Sequence, residues 1–272
     1  MDTEVLVVGA GPAGLAVAAT LKSKGRRPLV IEKSTQIGAS WRNHYERLHL
    51  HTVKALSALP GLPFPDEAPR YVPRQGVVDY LAAYAAQAGI EPCFGEEATA
   101  IVRDPAGRWR TSTRSGRSFA SDAVVVTTGA NNHPFAPKID GEERFGPGGR
   151  IVHSRDYRDA TPFAGERVLV VGVGNTGAEI GLDLAEHGVA VALSVRSPIN
   201  IVHRDVLGKR ASMIEVCWVG RPRTSRWTML TGERTESATL TPCSARSRAI
   251  SAPVLPMPMT RTSSPANGAA SR

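Results

Sequence analysis

Short apolar runs and helix-like stretches alternate along the N-terminal part of the chain. Residues 4–8 (EVLVV) form an apolar run, a glycine-rich turn follows, and Leu15, Ala18 and Ala19 recur at helical spacing up to Gly25, before a second apolar run, PLVIEK. Short runs rich in β-branched residues predict strands, and apolar residues at every third or fourth position predict one face of a helix. The pattern therefore predicts a β-α-β unit in this part of the chain.

The alternation continues further along the sequence. Residues 76–88 (GVVDYLAAYAAQA) predict an amphipathic helix, and residues 108–130 predict strands that are joined at Ser115 and Gly116 and end in an apolar strand at 124–126. Residues 131–150 are rich in proline and glycine, which is typical of a crossing between domains.

A second β-α-β unit follows this connection. Residues 166–172 (ERVLVVG) predict a strand and a turn, the residues VAVALSVR predict the next strand, and one face of the intervening helix carries Ile180, Gly181, Leu184 and Ala185. Two such units about 160 residues apart predict an α/β protein with two Rossmann-like dinucleotide-binding domains, the second of them incomplete.

The sequence changes character after about Arg210. We expect a first dinucleotide-binding domain at 1–135, an interdomain connection at 136–165, the start of a second domain at 166–210 and an irregular tail at 211–272. The tail is rich in Ser, Thr, Pro and Arg, contains no lysine and shows no sustained period. A genuine tail explains this composition, and so does an out-of-frame translation of a GC-rich coding region; the abruptness of the change favours the second explanation.

The net charge of +8 is concentrated in this tail. Residues 211–272 hold eight arginines against three glutamates, which leaves +3 for the first 210 residues. No interleaved aromatic residues and no nucleic-acid-binding module accompany the arginines, so we expect a solvated segment and no nucleic-acid partner.

Composition also argues against several other classes of protein. Residues 5–21 carry no charge, but glycines and a proline interrupt the stretch and acidic residues precede it, so it predicts neither a membrane span nor a signal peptide. The three cysteines have no CxxC spacing, and the seven histidines have no spacing typical of metal ligands. We therefore expect a cytoplasmic protein without a metal site.

The first glycine-rich turn has the spacing of a dinucleotide-binding loop. In such loops the first glycine permits a tight turn, the second lets the backbone approach the pyrophosphate, and the third lets helix and strand pack closely. Gly9, Gly11 and Gly14 have this spacing, and Glu32 follows eighteen residues later, where an acid would accept a hydrogen bond from a ribose hydroxyl. We add the adjacent Lys33 to the candidate cofactor-binding residues.

The second glycine-rich turn resembles the first but differs at the end of the following strand. Its candidate cofactor-binding residues are Gly172, Gly174, Asn175 and Gly177. Ser194 and Arg196 stand where the first unit has its acid, and an arginine can pair with a 2′-phosphate that an acid would repel. The pattern favours NADP over NAD, although a surface charge would also explain Arg196. A flavin and a nicotinamide are the natural pair for two such loops, so we expect FAD and NADPH as cofactors.

Several stretches between and around the loops resemble one family. They resemble flavin-containing monooxygenases of the class B flavoprotein type, above all the YUCCA type and its bacterial relatives, from residue 3 to about residue 210. The stretches are GASWR at 38–42, ERLHLHTVKALSALPGLPFP at 46–65, YVPRQGVVDYL at 71–81, TTGANNHPFAPKIDG at 127–141 and GPGGRIVHSRDYRD at 146–159. The family motif FxGxxxHxxxY is matched at Gly149, His153 and Tyr157, but Pro147 stands at the phenylalanine position.

The resemblance implies a reaction. NADPH would reduce FAD, the reduced flavin would react with O2 to a C4a-hydroperoxide, and one oxygen atom would pass to a small organic substrate. Family substrates are nitrogen or sulfur nucleophiles or, in YUCCA-like members, an aryl-pyruvate. Because the cofactor supplies the difficult chemistry, no catalytic triad is expected.

The resemblance also implies roles for single residues. The first loop and Glu32 would bind FAD, and Trp41 and Arg42 would lie nearer the flavin. His51 is the catalytic candidate, because it stands where relatives place an asparagine or histidine beside the flavin; a histidine that is merely satisfied by backbone groups is the alternative. Thr128 and Gly129 match the connection between the domains and join the candidate cofactor-binding residues.

Two alternatives stay open. A flavin disulfide reductase has the same two folds but needs a CxxC beside the flavin. A nucleotide-binding remnant with little or no turnover is also compatible with the sequence, because nothing after Arg210 resembles the segment by which family members complete the FAD domain.

Overall fold

The structure is a computed structural model with two compact units. It describes residues 1–131, 133–145 and 150–197 and, beyond them, the backbone of five short strands. Most of the predicted tail at 211–272 therefore lies outside the described residues. The first unit contains Met1–Pro134 and Arg155–Arg158, and the second contains Phe135–Ser154 and Asp159–Ile201.

The first unit contains a six-stranded mixed sheet. Its strands are β1 (Asp2–Val8), β2 (Pro28–Glu32), β3 (Cys93–Phe94), β4 (Ala98–Arg103), β5 (Trp109–Thr113) and β6 (Ser118–Val126). The strand order is β3-β2-β1-β6-β5-β4, with parallel pairing from β3 to β6 and antiparallel pairing between β6, β5 and β4. The helices of this unit are α1 (Pro12–Ser23), α2 (Ala39–Arg42) and α3 (Arg74–Gln87), and a 3-10 turn lies at Lys54–Leu56.

The two faces of this sheet pack into two different apolar clusters. Val5 and Val7 of β1 pack with Leu15 of α1 and Leu81 of α3, whereas Leu6 of the same strand packs in a cluster with Ile31 and Phe119. Successive strand residues point to opposite faces, and a parallel strand in the middle of a sheet is buried on both. This explains why residues 5–8 (VLVV) are apolar without interruption.

Aromatic side chains of α3 hold the segment that follows α2. The Tyr80 hydroxyl accepts a hydrogen bond from the Leu59 amide at 2.7 Å and donates one to the Leu62 carbonyl at 2.7 Å, and the Tyr84 hydroxyl donates to the Pro60 carbonyl at 2.8 Å. Burial raises the pKa of Tyr80, so its hydroxyl stays protonated and able to donate. An otherwise irregular segment is thereby tied to a helix.

The second unit repeats the strand-loop-helix-strand pattern. Its elements are β7 (Val152–His153), β8 (Arg167–Val171), α4 (Asn175–Glu186) and β9 (Ala190–Ser194), with 3-10 turns at Glu142–Arg144 and Thr161–Phe163. The strands farther along the chain are β10 (Asp205–Val206) and β11 (Lys209–Arg210), which group with the first unit, and β12 (Trp227–Thr231), β13 (Arg234–Ala238) and β14 (Pro253–Leu255), which group with the second. The sheet order is β7-β14-β8-β9, with β8 and β9 parallel. The pairs β10-β11 and β12-β13 are antiparallel.

Helix α4 packs against its two parallel strands as the sequence predicts. Ile180 and Leu184 are buried on the predicted face, and Val168 of β8 and Val191 of β9 are buried as well. A Cβ at Gly181 would lie 2.8 Å from Leu193 Cδ2, so the absence of a side chain permits this close approach of helix and strand. Both predicted β-α-β units are therefore present.

Candidate dinucleotide-binding sites

The glycines of the first loop are fixed by backbone geometry. Gly9 has φ of +112° and its amide donates to the Ile31 carbonyl at 2.8 Å, so the chain turns sharply at the end of β1. A Cβ at Gly14 would lie 1.9 Å from the Gly9 carbonyl oxygen. The first and third glycines thus serve the turn and the packing of α1, as the sequence spacing predicts.

Gly11, the middle glycine, borders open space. It is the N-cap of α1, and a Cβ there would meet no atom within 4 Å. The helix has no side-chain cap and no acidic residue in its first turn. Its first amides are therefore available to an anion, and the helix dipole favours negative charge at this end. An open backbone approach beside an uncapped helix fits the pyrophosphate of a dinucleotide.

Glu32 lies beside this loop and is nine-tenths buried. Its Oε2 accepts a hydrogen bond from the Ala10 amide at 2.7 Å, and its Oε1 accepts one from the Ser34 amide at 2.9 Å. An ionised carboxylate has about four acceptor positions, so it retains room for a ribose hydroxyl.

The sequence did not reveal the role of Thr127, which closes the loop from the other side. Its hydroxyl lies 2.8 Å from the Val8 carbonyl and 3.2 Å from the Gly9 carbonyl, and its amide donates to Val8 at 2.9 Å. The predicted residues Thr128 and Gly129 come next and are exposed. The pairing of β6 with β1, across more than a hundred residues of chain, brings Thr127 to this position; the only sequence signal was a threonine directly after an apolar strand.

Helix α2 touches the same loop. The amide of its N-cap, Gly38, donates to the Ala10 carbonyl at 3.1 Å, and the Arg42 side chain turns back so that its Nε donates to the Ile37 carbonyl at 2.9 Å. Trp41 packs against the apolar cluster of α1 and α3. The predicted residues Trp41 and Arg42 are therefore held next to the loop, one helical turn after the hydrogen bond between Gly38 and Ala10.

Other predicted residues lie outside the loop itself. Lys33 is exposed directly after Glu32, and His51 is half-buried, two residues beyond a bridge between His49 and Pro73. Tyr157 is buried with its ring 6.3 Å from that of Tyr45. That contact agrees with a packing role rather than a chemical one.

The second loop has nearly the same backbone as the first. Gly172 has φ of +95° and its amide donates to the Ser194 carbonyl at 2.9 Å, while Gly174 is the uncapped N-cap of α4, which begins at Asn175. A Cβ at Gly177 would lie 2.1 Å from the Gly172 carbonyl oxygen, and one at Gly174 would meet nothing within 4 Å. The backbone at the middle glycine of this loop is therefore as open to an approaching phosphate as that of the first loop.

Strand register shows which residues of the two units correspond. Val8 pairs with Ile31 in the first unit and Val171 pairs with Ser194 in the second, so Val195 takes the place of Glu32 and Arg196 that of Lys33. The sequence pattern compares Ser194 and Arg196 with Glu32. The register shows that the counterpart of Glu32 is Val195, which lies between them. Val195 is half-buried and Arg196 is exposed. The acid of the first loop thus has an apolar counterpart, with a cation next to it.

A second buried carboxylate lies behind the first loop. The Glu96 amide donates to the Glu32 carbonyl at 2.9 Å. Hydrogen bonds from the Ser115 and Thr113 hydroxyls, together with the Arg117 guanidinium, lower the pKa of Glu96. This charge is neutralised by Arg117 at 2.7 Å and belongs to the structure of the unit.

A family model for pyridine nucleotide-disulphide oxidoreductases matches residues 6–209. The chain belongs to this family. The curated relatives of the chain include indole-3-pyruvate monooxygenases. Indole-3-pyruvate monooxygenase YUCCA1 of Oryza sativa subsp. japonica is 40% identical over 205 residues, which cover 75% of this chain and 50% of the relative. The chain therefore spans about half the length of the curated relatives that it matches.

Solved structures agree with this grouping. A flavin-containing monooxygenase from Stenotrophomonas maltophilia has a TM-score of 0.71 and 26% identity and covers 78% of this chain and 62% of its own. An oxidized steroid monooxygenase bound to NADP has a TM-score of 0.62 and 27% identity and covers 72% and 39%. The predicted resemblance to flavin-containing monooxygenases and the fold of two dinucleotide-binding domains are confirmed. FAD and NADPH are the cofactors of this group, as predicted.

The described residues contain neither a helix that could span a membrane nor a cluster of metal ligands. No helix in this part of the chain is both long enough and apolar enough to cross a bilayer. No group of three or more His, Cys, Asp and Glu side chains among these residues is arranged to hold a metal ion.

Proposed function

We propose that the chain binds FAD at the first loop and NADPH at the second and acts as a monooxygenase on a small organic acid of the aryl-pyruvate type. The observation that carries the proposal is the presence of two phosphate loops of nearly identical backbone, one with a carboxylate and one with an arginine at the end of the next strand. The relatives' names add the class of reaction and of substrate.

The first loop supports FAD through three sets of groups. The amides at the start of α1 would hold the pyrophosphate, and Glu32 would accept a hydrogen bond from a ribose hydroxyl with the acceptor positions that Ala10 and Ser34 leave open. Arg42 and Trp41 would lie on the way from the loop to the flavin ring, and His51 would be the group that meets the reacting atoms.

The second loop supports NADPH in a parallel way. The start of α4 would hold the nicotinamide dinucleotide's pyrophosphate, and Arg196 would pair with the 2′-phosphate because no carboxylate stands at position 195 to repel it. When bound, the flavin supplies the chemistry of oxygen activation with electrons from NADPH. The protein positions the two cofactors and admits the substrate and O2.

The disulphide chemistry in the family's name does not carry over. The cysteines of the sequence are Cys93, Cys217 and Cys243, which are too far apart along the chain for a CxxC pair. We therefore expect no disulfide reductase activity. The competing proposal is a nucleotide-binding remnant with little or no turnover.

Flavin content and coupled turnover test the proposal. We expect the purified protein to show a bound-flavin spectrum after incubation with FAD, and to consume NADPH faster when indole-3-pyruvate is present than with buffer alone. Oxygenated product should form in proportion to the NADPH consumed. Flavin binding without NADPH consumption would support the remnant instead. The absence of flavin binding would contradict both the monooxygenase and the remnant, because each binds a nucleotide at the first loop.

A further inference from the structure

The carboxylate of Glu32 joins two backbone segments before any ligand is present. Its two oxygens accept hydrogen bonds from the Ala10 amide at 2.7 Å and the Ser34 amide at 2.9 Å. Ala10 is the fully buried residue between the first two glycines of the loop, and Ser34 is the second residue after β2. Hydrogen bonds to an ionised carboxylate are about twice as strong as neutral ones, and this one is nine-tenths removed from water.

We propose that Glu32 is a positioning residue, which holds the first phosphate loop in its ligand-binding conformation independently of any contact with a ribose. The inference rests on the proposed function only in that the ligand of the loop is a dinucleotide. Gly9 and Gly11 flank Ala10 and give the loop backbone more freedom than other residues would. A hydrogen bond to the Ala10 amide therefore restricts the loop before a ligand arrives, so that binding costs less conformational entropy.

The second loop provides an internal comparison. Val195 stands at the position of Glu32, and an aliphatic side chain offers no acceptor to the amide of Val173, the counterpart of Ala10. The two loops share their turn, their helix start and their close glycine contact. The two loops therefore share the path of the backbone and differ in how firmly the amide of Ala10 or of Val173 is held.

Binding of two ligands separates this role from a ribose contact. We would measure the affinities of ADP and of 2′,3′-dideoxy-ADP, which lacks the ribose hydroxyls, by calorimetry for the wild type, Glu32→Ala and Glu32→Gln. Loss of a positioning residue should weaken both ligands about equally, by about tenfold for Glu32→Ala and less for Glu32→Gln, which keeps one acceptor. Glu97→Ala removes an exposed carboxylate that bonds Arg114 and serves as the matched control, with no effect expected. If Glu32→Ala weakens ADP and leaves the dideoxy ligand unchanged, Glu32 acts through the ribose alone and the proposal is wrong.

Amide hydrogen exchange in the ligand-free protein tests the same point without a ligand or a variant. We expect the Ala10 amide to exchange at least about tenfold more slowly than the Val173 amide. In Glu32→Gln the Ala10 amide should exchange faster while amides in the middle of β1 do not change, which a general loss of structure would not produce. Equal exchange at Ala10 and Val173 would overturn the proposal even if FAD binds. Protection of Ala10 in a protein that binds no dinucleotide would support it and contradict the proposed function instead.

Discussion

The two glycine-rich loops of this chain have nearly the same backbone but different surroundings. Both turn at a glycine with positive φ, both start an uncapped helix at the middle glycine, and both place the third glycine against the carbonyl of the first. The first loop is enclosed by Thr127 and Glu32, whereas the second has Val195 in the place of the carboxylate. The glycines thus set the shape of each loop, and the ends of the neighbouring strands set which groups line it.

The first residue of each helix adds a further difference. Helix α1 begins with Pro12, which has no amide hydrogen and a φ suited to a helix start, and α4 begins with Asn175. Helix α4 therefore has a backbone amide at the position where α1 has a proline nitrogen without a hydrogen. The Ala10 amide of the first loop is in addition bonded to Glu32. The two loops consequently present different sets of donors from the same backbone path.

The largest effect is expected from Gly14→Ala and Gly177→Ala. The new Cβ would lie 1.9 Å from a backbone oxygen in the first loop and 2.1 Å in the second, so the backbone itself must move. We expect each change to lower the free energy of unfolding of its unit by about 3 kcal/mol, measured by urea denaturation. Gly14→Ala should be the more severe, because its Cβ would also lie 2.8 Å from Thr127 Oγ1. A greater loss for Gly177→Ala would contradict the closer enclosure of the first loop.

The middle glycines should separate binding from stability. A Cβ at Gly11 or Gly174 would meet no protein atom within 4 Å, and neither residue has positive φ. Because alanine is a poorer N-cap than glycine, we expect Gly11→Ala and Gly174→Ala to lower the free energy of unfolding by no more than about 1 kcal/mol. Because the added methyl group lies where a phosphate would approach, Gly11→Ala should weaken FAD and Gly174→Ala should weaken NADPH, each by more than about tenfold in a direct titration. Weakening of both ligands by either variant would show that the two loops are not independent.

The loops also show how much of the fold the sequence contains. Strand, turn and helix follow from local signals, namely β-branched runs, glycines at fixed offsets and apolar residues at helical spacing, and these predicted both β-α-β units. Pairing between distant strands has no such local signal. The neighbouring position of β6 and β1, and with it the contact of Thr127 with the loop, depends on packing across the whole first unit.

The candidate site was predicted unevenly for the same reason. The glycines of both loops and the position of Glu32 followed from spacing, but the amides that Glu32 accepts from did not. The spacing of eighteen residues that leads from Gly14 to Glu32 leads from Gly177 to Val195, and the strand register gives the same correspondence. The sequence pattern therefore did not predict the tertiary contacts that shape the site.

Val195→Glu would give the second loop the carboxylate of the first. We expect NADPH to bind about tenfold more weakly, because a carboxylate at this position repels the 2′-phosphate, whereas NADH should bind as well as before or better. Titration with both nucleotides measures the change, and Val195→Gln controls for size without the charge. An unchanged preference for NADPH would mean that the 2′-phosphate lies elsewhere.

A smaller effect is expected from Arg196→Gln. Arg196 is exposed, and exposed ion pairs contribute up to about 1 kcal/mol, so NADPH affinity should fall by about fivefold while NADH affinity stays the same. The loss should diminish as salt concentration rises, because salt screens an exposed pair. Arg167→Gln removes the same charge from the exposed start of β8, at the opposite end of the parallel β8-β9 pair, and should leave both nucleotides unaffected. If Arg196→Gln weakens NADPH and NADH alike, the arginine does not read the 2′-phosphate.

The smallest effect, a difference in acid sensitivity, distinguishes the two units rather than the loops themselves. In the first unit, hydrogen bonds from Ser115 and Thr113 lower the pKa of Glu96 from its ordinary 4.5; in the second, Thr161 lowers that of Asp159 from its ordinary 3.8. A carboxylate with a lowered folded-state pKa stabilises the fold fully above its unfolded-state value and loses that contribution as pH falls through the folded-state value. The first unit should therefore begin to lose stability at a higher pH than the second. Urea midpoints between about pH 3 and pH 7 would check this, with a flatter acid limb in Glu96→Gln than in the wild type and no change in the exposed control Glu67→Gln.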